Sequence, residues 1–233
     1  MPETRERLCR VWLSCSESLS YSNRKRLLEI YLSAEAVFDG FTPDMALVTG
    51  SKAYAELADL RTKGLDRIEK SIIRSGISLA VFGDQAFPDL LERIGDPPDL
   101  LFYRGRMIKH EERVIAIIGS RRETKYGRDQ AFRIARDLAV NGVTVVSGLA
   151  RGVDTAAHEG ALDGGGRTVA ILGSGINRVY PQENADLAEK MIRQGGALIS
   201  EFHPSAGPLS FHFPFRNRLR SEERRVGKEC TIQ

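Results

Sequence analysis

Residues 143–162 read Val143 Thr144 Val145 Val146 Ser147 Gly148 Leu149 Ala150 Arg151 Gly152 Val153 Asp154 Thr155 Ala156 Ala157 His158 Glu159 Gly160 Ala161 Leu162, and their hydropathy changes period halfway. Residues 143–146 are β-branched with no polar alternation, the pattern of a strand buried on both faces. A turn bearing glycine and arginine follows, and residues 153–162 then recur at helical spacing. The same unit repeats on either side. Upstream, 114–118 is a strand run ending in Gly119, and 126–140 is a helix with Phe132, Ile134, Ala135, Leu138 and Ala139 on its apolar side. Downstream, 168–172 reads as a strand, 184–193 as a helix and 197–199 as a strand. Strands this apolar need cover on both faces, and β-α alternation supplies it through right-handed crossovers. The expected fold is therefore α/β, a Rossmann-like doubly wound parallel sheet over 113–219, with the strand order left open.

Before this domain, 21–75 carries helical spacing (Leu27, Leu28, Ile30, Tyr31, then Leu57, Leu60, Leu65, Ile68, Ile72), interrupted by the turn-forming Phe38 Asp39 Gly40 Phe41 Thr42 Pro43. A small helical N-terminal domain, 1–75, is expected. Residues 76–112 hold short apolar runs and Pro88, Pro97 and Pro98, which suit loops and edge strands, and read as a connector.

The 233 residues leave room for one good-sized domain and one small one, and 42% hydrophobic with 28% charged residues is the composition of a chain that buries a core. No apolar run approaches the roughly 20 residues that cross a bilayer, and 1–10 is charged with no signal-like core. A cytoplasmic chain with no membrane partner is the expectation. Cys9, Cys15 and Cys230 lack zinc-site spacing and read as free thiols, and the four histidines form no ligand pair, so neither metal nor cofactor is expected. The net charge of +3 is too small by itself to indicate nucleic-acid binding.

Local clustering says more. Ligands of open parallel sheets bind beyond the carboxyl ends of the strands. Three loops there combine glycine with arginine or small hydroxyls: Gly119 Ser120 Arg121 Arg122, then Ser147 Gly148 Leu149 Ala150 Arg151 Gly152, then Gly173 Ser174 Gly175. Glycine lets backbone approach a phosphate, helix starts offer free N–H groups, and arginine grips phosphate oxygens with a planar fork. Each loop alone also reads as an ordinary turn with solvated charges; three at one rim favour an oligoanion site. Near the end, Phe211 His212 Phe213 Pro214 Phe215 Arg216 Asn217 Arg218 interleaves rings with cations, as grooves for unpaired bases do. A lid packed on the sheet explains Phe213 and Phe215 equally well. Asp154 and His158, one helical turn apart, could pass for a catalytic pair, but no nucleophile neighbours them and Asp154 suits a helix start.

The ordered motifs IIGSRR, VVSGLARGVDTAAHEGAL, GGRTVAILGSGINRVYPQENADL, GALISEF and FHFPFRNR resemble the DNA-processing protein A (DprA/Smf) family from about residue 77 to 219. The resemblance implies a non-catalytic recombination mediator that binds single-stranded DNA in natural transformation, loads the recombinase RecA and forms a homodimer. It assigns single-strand contacts to Gly119, Ser120, Arg121, Gly148, Arg151 and Gly152. With Arg122, Ser147, Gly173, Gly175, Phe213, Arg216 and Arg218 from the loop reading, these make the expected DNA-binding set. After Arg218 the chain leaves the family pattern, and RSEERRVGKEC resembles a translated sequencing-adapter oligonucleotide. Residues 220–233 are thus expected to be a non-native tail without a packing partner. The competing reading is a nucleotide phosphoribohydrolase of the LOG (lysine-decarboxylase-like) type, whose PGGxGTxxE motif does not occur here. A dinucleotide oxidoreductase lacks its glycine fingerprint and acidic partner.

Overall fold

The computed structural model describes residues 3–221 and 230–232. The chain forms two compact units, Met1–Leu79 and Ala80–Gln233.

The first unit is helical, as its spacing predicts: α1 (Arg5–Ser14), α2 (Tyr21–Tyr31), α3 (Ala34–Asp39), α4 (Ala46–Thr49), α5 (Ser51–Thr62) and α6 (Leu65–Arg74). Thr4, Ser20 and Ser33 cap α1, α2 and α3, their hydroxyls accepting from the N–H groups of Arg7, Asn23 and Ala36. Trp12 anchors the core. Phe38 and Phe41 meet it edge-on at centroid distances of 5.0 and 5.2 Å, and its indole N–H donates to the Leu57 carbonyl at 3.1 Å. Cys9 and Cys15 are free thiols, and burial pushes both up to about 12, which keeps them in the unreactive protonated form.

The second unit is the α/β layer. Its elements are β1 (Ser78–Val81), in which the boundary between the units falls, α7 (Asp89–Glu92), β2 (Leu100–Gly105), β3 (Val114–Gly119), α8 (Lys125–Val140), β4 (Thr144–Ser147), α9 (Val153–Asp163), β5 (Thr168–Ile171), α10 (Ala185–Arg193), β6 (Ala197–Ser200), α11 (His212–Ser221) and β7 (Cys230–Ile232). The strands lie in the order β1-β2-β6-β5-β4-β3-β7. β3, β4, β5 and β6 are parallel neighbours, and β2 closes on β6 antiparallel, Phe102 opposite Ser200.

Both faces are covered, as strands this apolar require, but the winding runs one way. Because β3 to β6 are laid down side by side in chain order, right-handed crossovers bring α8, α9 and α10 to one face. Ile117 and Val145 pack there with the alanines of α8 and α9, and Arg104 of β2 reaches Glu189 of α10 at 2.9 Å. The opposite face, with Val146, Val169, Ile171, Ala197 and Ile199, is covered by Phe87, Leu91, Ile94, Met107 and Ile108 and by Leu219 of α11. The segment expected to be a connector thus supplies strands and the second layer. Leu100, Leu101 and Phe102 are all buried, which a joining loop would not achieve.

The tail expectation needs correction at three residues. Cys230–Ile232 pairs in parallel with β3, Cys230 opposite Ile117 and Ile232 opposite Gly119, so this backbone does have a partner. An exposed parallel edge accepts any extended segment that satisfies its N–H and C=O groups. Residues 222–229 and 233 lie outside the described residues.

At the amino end of the sheet Arg167, almost wholly buried, bonds the carboxylate of Glu112, the carbonyl of Arg106 and, at 2.8 Å, the carbonyl of Gly195. Glu112 also accepts from Thr144 Oγ1 at 2.8 Å and Lys109 N–H at 3.0 Å. Burial pushes its carboxyl pKa up, yet these donors outweigh burial and hold it below the usual carboxylate value. A depressed folded pKa means stability that is present above the unfolded value and lost as pH falls through the folded one. Glu112→Gln is therefore expected to cost about 1–3 kcal/mol at pH 7 and to flatten acid destabilisation below about pH 4.5, the ordinary carboxylate value. Urea melts of both proteins at pH 7 and pH 4 test this; an undiminished pH dependence in the variant would count against it.

Candidate nucleic-acid interface

At the carboxyl end of the sheet three loops and the start of α11 converge. The loop after β4 is the best fixed. Asn184 Nδ2 donates to the Leu149 carbonyl and to Thr155 Oγ1, both at 2.9 Å, while Thr155 Oγ1 donates to the Ala150 carbonyl at 2.8 Å. Asp154 Oδ2 accepts from Ala150 N–H at 3.4 Å. Leu149, wholly buried, is held at φ 56°, a conformation that a side chain of this kind adopts only when its surroundings impose it. Gly152 sits at φ 81°, and a Cβ there would collide with the Ser120 carbonyl and, at 2.5 Å, the Glu123 carboxylate. The Val153 N–H donates to the Ser120 carbonyl at 3.2 Å, so the first loop and the start of α9 are tied together.

This frame presents Arg121, Arg122 and Arg151 to solvent, with Ser120 exposed beside them and its Oγ accepting from Arg122 N–H at 3.0 Å. The Arg121 guanidinium lies 5.0 Å from the centroid of the Phe213 ring. Tyr180 stands 5.9 Å from the same ring, tilted by 56°. Arg121, Gly148, Ala150, Arg151, Tyr180, Pro181 and Phe213 together line one cleft. Arg151 is held by Glu183 in a two-pronged bond, Nε to Oε1 at 2.6 Å and Nη2 to Oε2 at 2.8 Å. That pairing raises the pKa of Arg151 and lowers that of Glu183.

Several residues of the expected set lie inside. Ser147 is buried and donates to the Ile117 carbonyl at 2.7 Å, bridging β3 and β4. Gly119 abuts Val153, Gly173 abuts the Phe213 ring, and buried Gly175 gives its N–H to Ala206 at 2.9 Å. Arg216 is only 2% exposed; its guanidinium bonds the Ile171 carbonyl and lies against Gly148. The cause is helical period. The segment 212–221 is α11, not an extended arm, so His212, Arg216 and Leu219, at i, i+4 and i+7, turn inward together. Arg218 flanks them, bonded to buried Glu201 at 2.5 Å, its guanidinium 4.2 Å from the Phe215 centroid. Arg216 and Arg218 are thus committed to the protein's own carbonyl and carboxylate, and the lid reading describes this segment better than the groove reading.

Asp154 and His158 are also interior, 2% and 0% exposed. Thr168 Oγ1 donates its one proton to the Val145 carbonyl, so at 2.7 Å it accepts from His158 Nδ1–H. Burial, with the charge of Arg216 as a second cause, pushes the histidine down to about 3, so the ring is neutral at physiological pH. Among the described residues no group of three or more His, Cys, Asp or Glu side chains could hold a metal ion, and no helix is long and apolar enough to cross a membrane. The expected DNA-binding set omitted Tyr180, Pro181, Ala150 and Glu183. The YPQEN stretch that supplies three of them lies past the glycine turn of the third loop, where no periodic signal marks its return to the cleft.

The family model of DNA recombination-mediator protein A matches residues 78–221, which take in β1 to β6 and α11. Protein Smf of Escherichia coli (strain K12) is 41% identical over 133 residues, covering 57% of this chain and 36% of that protein. DNA processing protein DprA of Streptococcus pneumoniae is 40% identical over 136 residues, 58% of this chain and 48% of that one. The chain thus spans half or less of the length of these two relatives. Among solved structures, the X-ray structure of DNA processing protein A from Streptococcus pneumoniae is similar with a TM-score of 0.68 at 28% identity, covering 96% of this chain and 76% of that one. DNA processing protein A from Helicobacter pylori, whose structure concerns its single-stranded DNA binding mode, is similar with a TM-score of 0.53 at 31% identity, over 63% of this chain and 66% of that one. With β1 to β6, the crossover helices and α11 all inside the matched span, the chain belongs to the DNA recombination-mediator protein A family.

Proposed function

We propose that this chain binds single-stranded DNA across the carboxyl rim of its sheet, as a recombination mediator that catalyses no reaction. The observation that carries the reading is the cleft in which Arg121 lies over Phe213, with Arg151 and Tyr180 beside it. Rings offer faces to unpaired bases of any sequence, and the guanidiniums neutralise the backbone that joins them. Ser120, Arg122 and the backbone of Gly148 and Gly152 are the further contacts. Arg216 and Arg218 act from beneath, holding α11 so that Phe213 stays at the rim. The interior placement of Asp154 and His158 supports a binding role over a hydrolytic one. Loading of RecA, a homodimeric state and a cytoplasmic setting in natural transformation belong to the same proposal.

The direct test is fluorescence anisotropy of a labelled oligothymidylate at two salt concentrations. Binding that falls with salt, and that competing duplex of equal length does not displace, is the expected result; no binding at low salt would overturn the reading. RecA filament assembly on coated strands, and the mass in solution, test the partners.

Glu183 enters here as a competitor. A strand phosphate either takes this carboxylate's place on the Nε–Nη2 edge of Arg151 or meets the remaining Nη1 edge with the rival charge beside it. Glu183→Gln leaves the shape and removes the rival charge, so it is expected to tighten single-strand binding by about two- to fivefold, the order of an exposed ion pair. Weaker binding in that variant would mean that Glu183 orients Arg151 for the strand.

A further inference from the structure

The helical unit carries a second row of cations remote in sequence from the rim. Arg67, Lys70 and Arg74 stand at i, i+3 and i+7 along α6, which puts them on one side of the helix, and Lys63, just past the end of α5, lines the same groove. All four are exposed and line one groove with Asp66, Ser71 and Ser75. The other side of α6 is engaged with the core: Ile72 is buried, and Leu65 and Ile68 pack on the cluster around Trp12. Arg67, Lys70 and Arg74 are thus set side by side by the helix.

Other cations of this unit are used differently. Arg5, Arg7 and Arg10 of α1 are each bonded to a carboxylate, and Arg61 lies over the rings of Phe38 and Phe41. Lys63 pairs with Asp59, whereas Arg67, Lys70 and Arg74 of α6 have no ion pair among the described residues. Glu69, the remaining carboxylate of the helix besides Asp66, accepts from the Glu3 N–H. Like charges at i+3 and i+4 weaken a helix, so this arrangement acts against the local stability of α6 unless an anion lies along it. Along α6 the helical rise separates Arg67 from Lys70 by about 4.5 Å and Lys70 from Arg74 by about 6 Å. A ligand with negative charges repeated along a line fits; a single compact anion would meet only one or two of the four.

We propose that this face of α6 is a second binding site for the phosphodiester backbone of single-stranded DNA, separate from the loop rim. It contributes affinity without base readout, because the groove holds four cations, two hydroxyls and the one carboxylate of Asp66, and no ring. The site does not depend on the rim reading, and the test keeps the two apart.

The experiment uses the full chain and an oligothymidylate of about 12 nucleotides, within the usual range of single-strand sites. Arg67→Gln/Lys70→Gln/Arg74→Gln keeps helix-forming side chains and removes three charges. Its slope of log affinity against log salt is expected to be shallower by about 2, at about 0.7 per phosphate released, with a thermal melt no lower than that of the unaltered chain. Combined with Arg121→Ala/Arg151→Ala, the triple change should abolish the binding that the rim variant retains. In the unaltered chain, a crosslink from the oligonucleotide should map to Lys70 or Lys63, a readout that needs no variant. A triple variant that is folded and keeps the full salt slope would overturn the proposal, as would an oligonucleotide crosslink pattern free of α6 while vesicles rich in phosphatidylserine retain the protein through it. If only the rim variant is without effect, the rim reading fails and the α6 site stands.

Discussion

Arg121→Ala together with Arg151→Ala is expected to weaken single-strand binding about a hundredfold at low salt, some 2.8 kcal/mol at roughly 1.4 kcal/mol per tenfold step. Hydrogen bonds to charged groups contribute about 1.5–3 kcal/mol each, which sets the scale for two phosphate contacts. The two residues should not share the loss equally. Arg121 faces the Phe213 ring and has no carboxylate partner among the described residues, so its charge is available as it stands. Arg151 is already paired with Glu183, and what it gains from phosphate is reduced by that carboxylate. The single change at Arg121 should therefore cost more than the one at Arg151. The salt slope of the double variant should be shallower by about 1.4, and the loss should be similar for thymine and adenine runs, because phosphate contacts carry no sequence information. Anisotropy titrations at several salt concentrations read both quantities. A double variant with the original slope would show that neither guanidinium meets phosphate.

The second large effect concerns stability and is read from Gly160. In an exposed helix interior, glycine to alanine stabilises by about 1 kcal/mol. Gly160 sits where α9 crosses α8, and a Cβ there would strike the Phe132 carbonyl and lie 2.9 Å from its Cα. Ala131, Ala135 and Ala139 of α8 face Ala156, Ala157 and Ala161 of α9 in the same core. This small-residue seam brings the two helices close, and a backbone carbonyl cannot rotate away as a side chain would. Gly160→Ala should therefore destabilise despite its better propensity, and Gly160→Val should cost about 3 kcal/mol or more, the upper end for overpacked cores. For a unit of this size that is a fall in Tm of roughly 6–12 °C. Gly95→Ala, with nothing within 4 Å of its built Cβ, is the control and should stay within about 0.5 kcal/mol. Because α9 begins at the Arg151 loop, single-strand affinity should fall with Gly160→Val as well. A Gly160→Ala protein that melts higher would refute the close seam.

What the sequence determined by itself is what depends on neighbours along the chain. Period-free apolar runs such as 143–146, alternating with helical ones, required a parallel sheet covered on both faces. Glycine and arginine at consecutive strand ends placed the cleft on the carboxyl rim, with Arg121 and Arg151 at the surface. The ordered motifs carried the family. What only the tertiary structure decided is what depends on residues far apart. The one-way winding, and the cover provided by the Phe87–Ile108 segment, follow from which strand pairs with which, and local periodicity does not encode that choice. Arg216 looks like a surface cation beside aromatic residues, and becomes an interior one because α11 turns it toward the end of β5, where its guanidinium donates to the Ile171 carbonyl. Glu183 reaches Arg151 across 32 residues because the two loops end at the same rim. Burial and ion pairing depend on distance in space, and the chain sets that distance only once the sheet has formed.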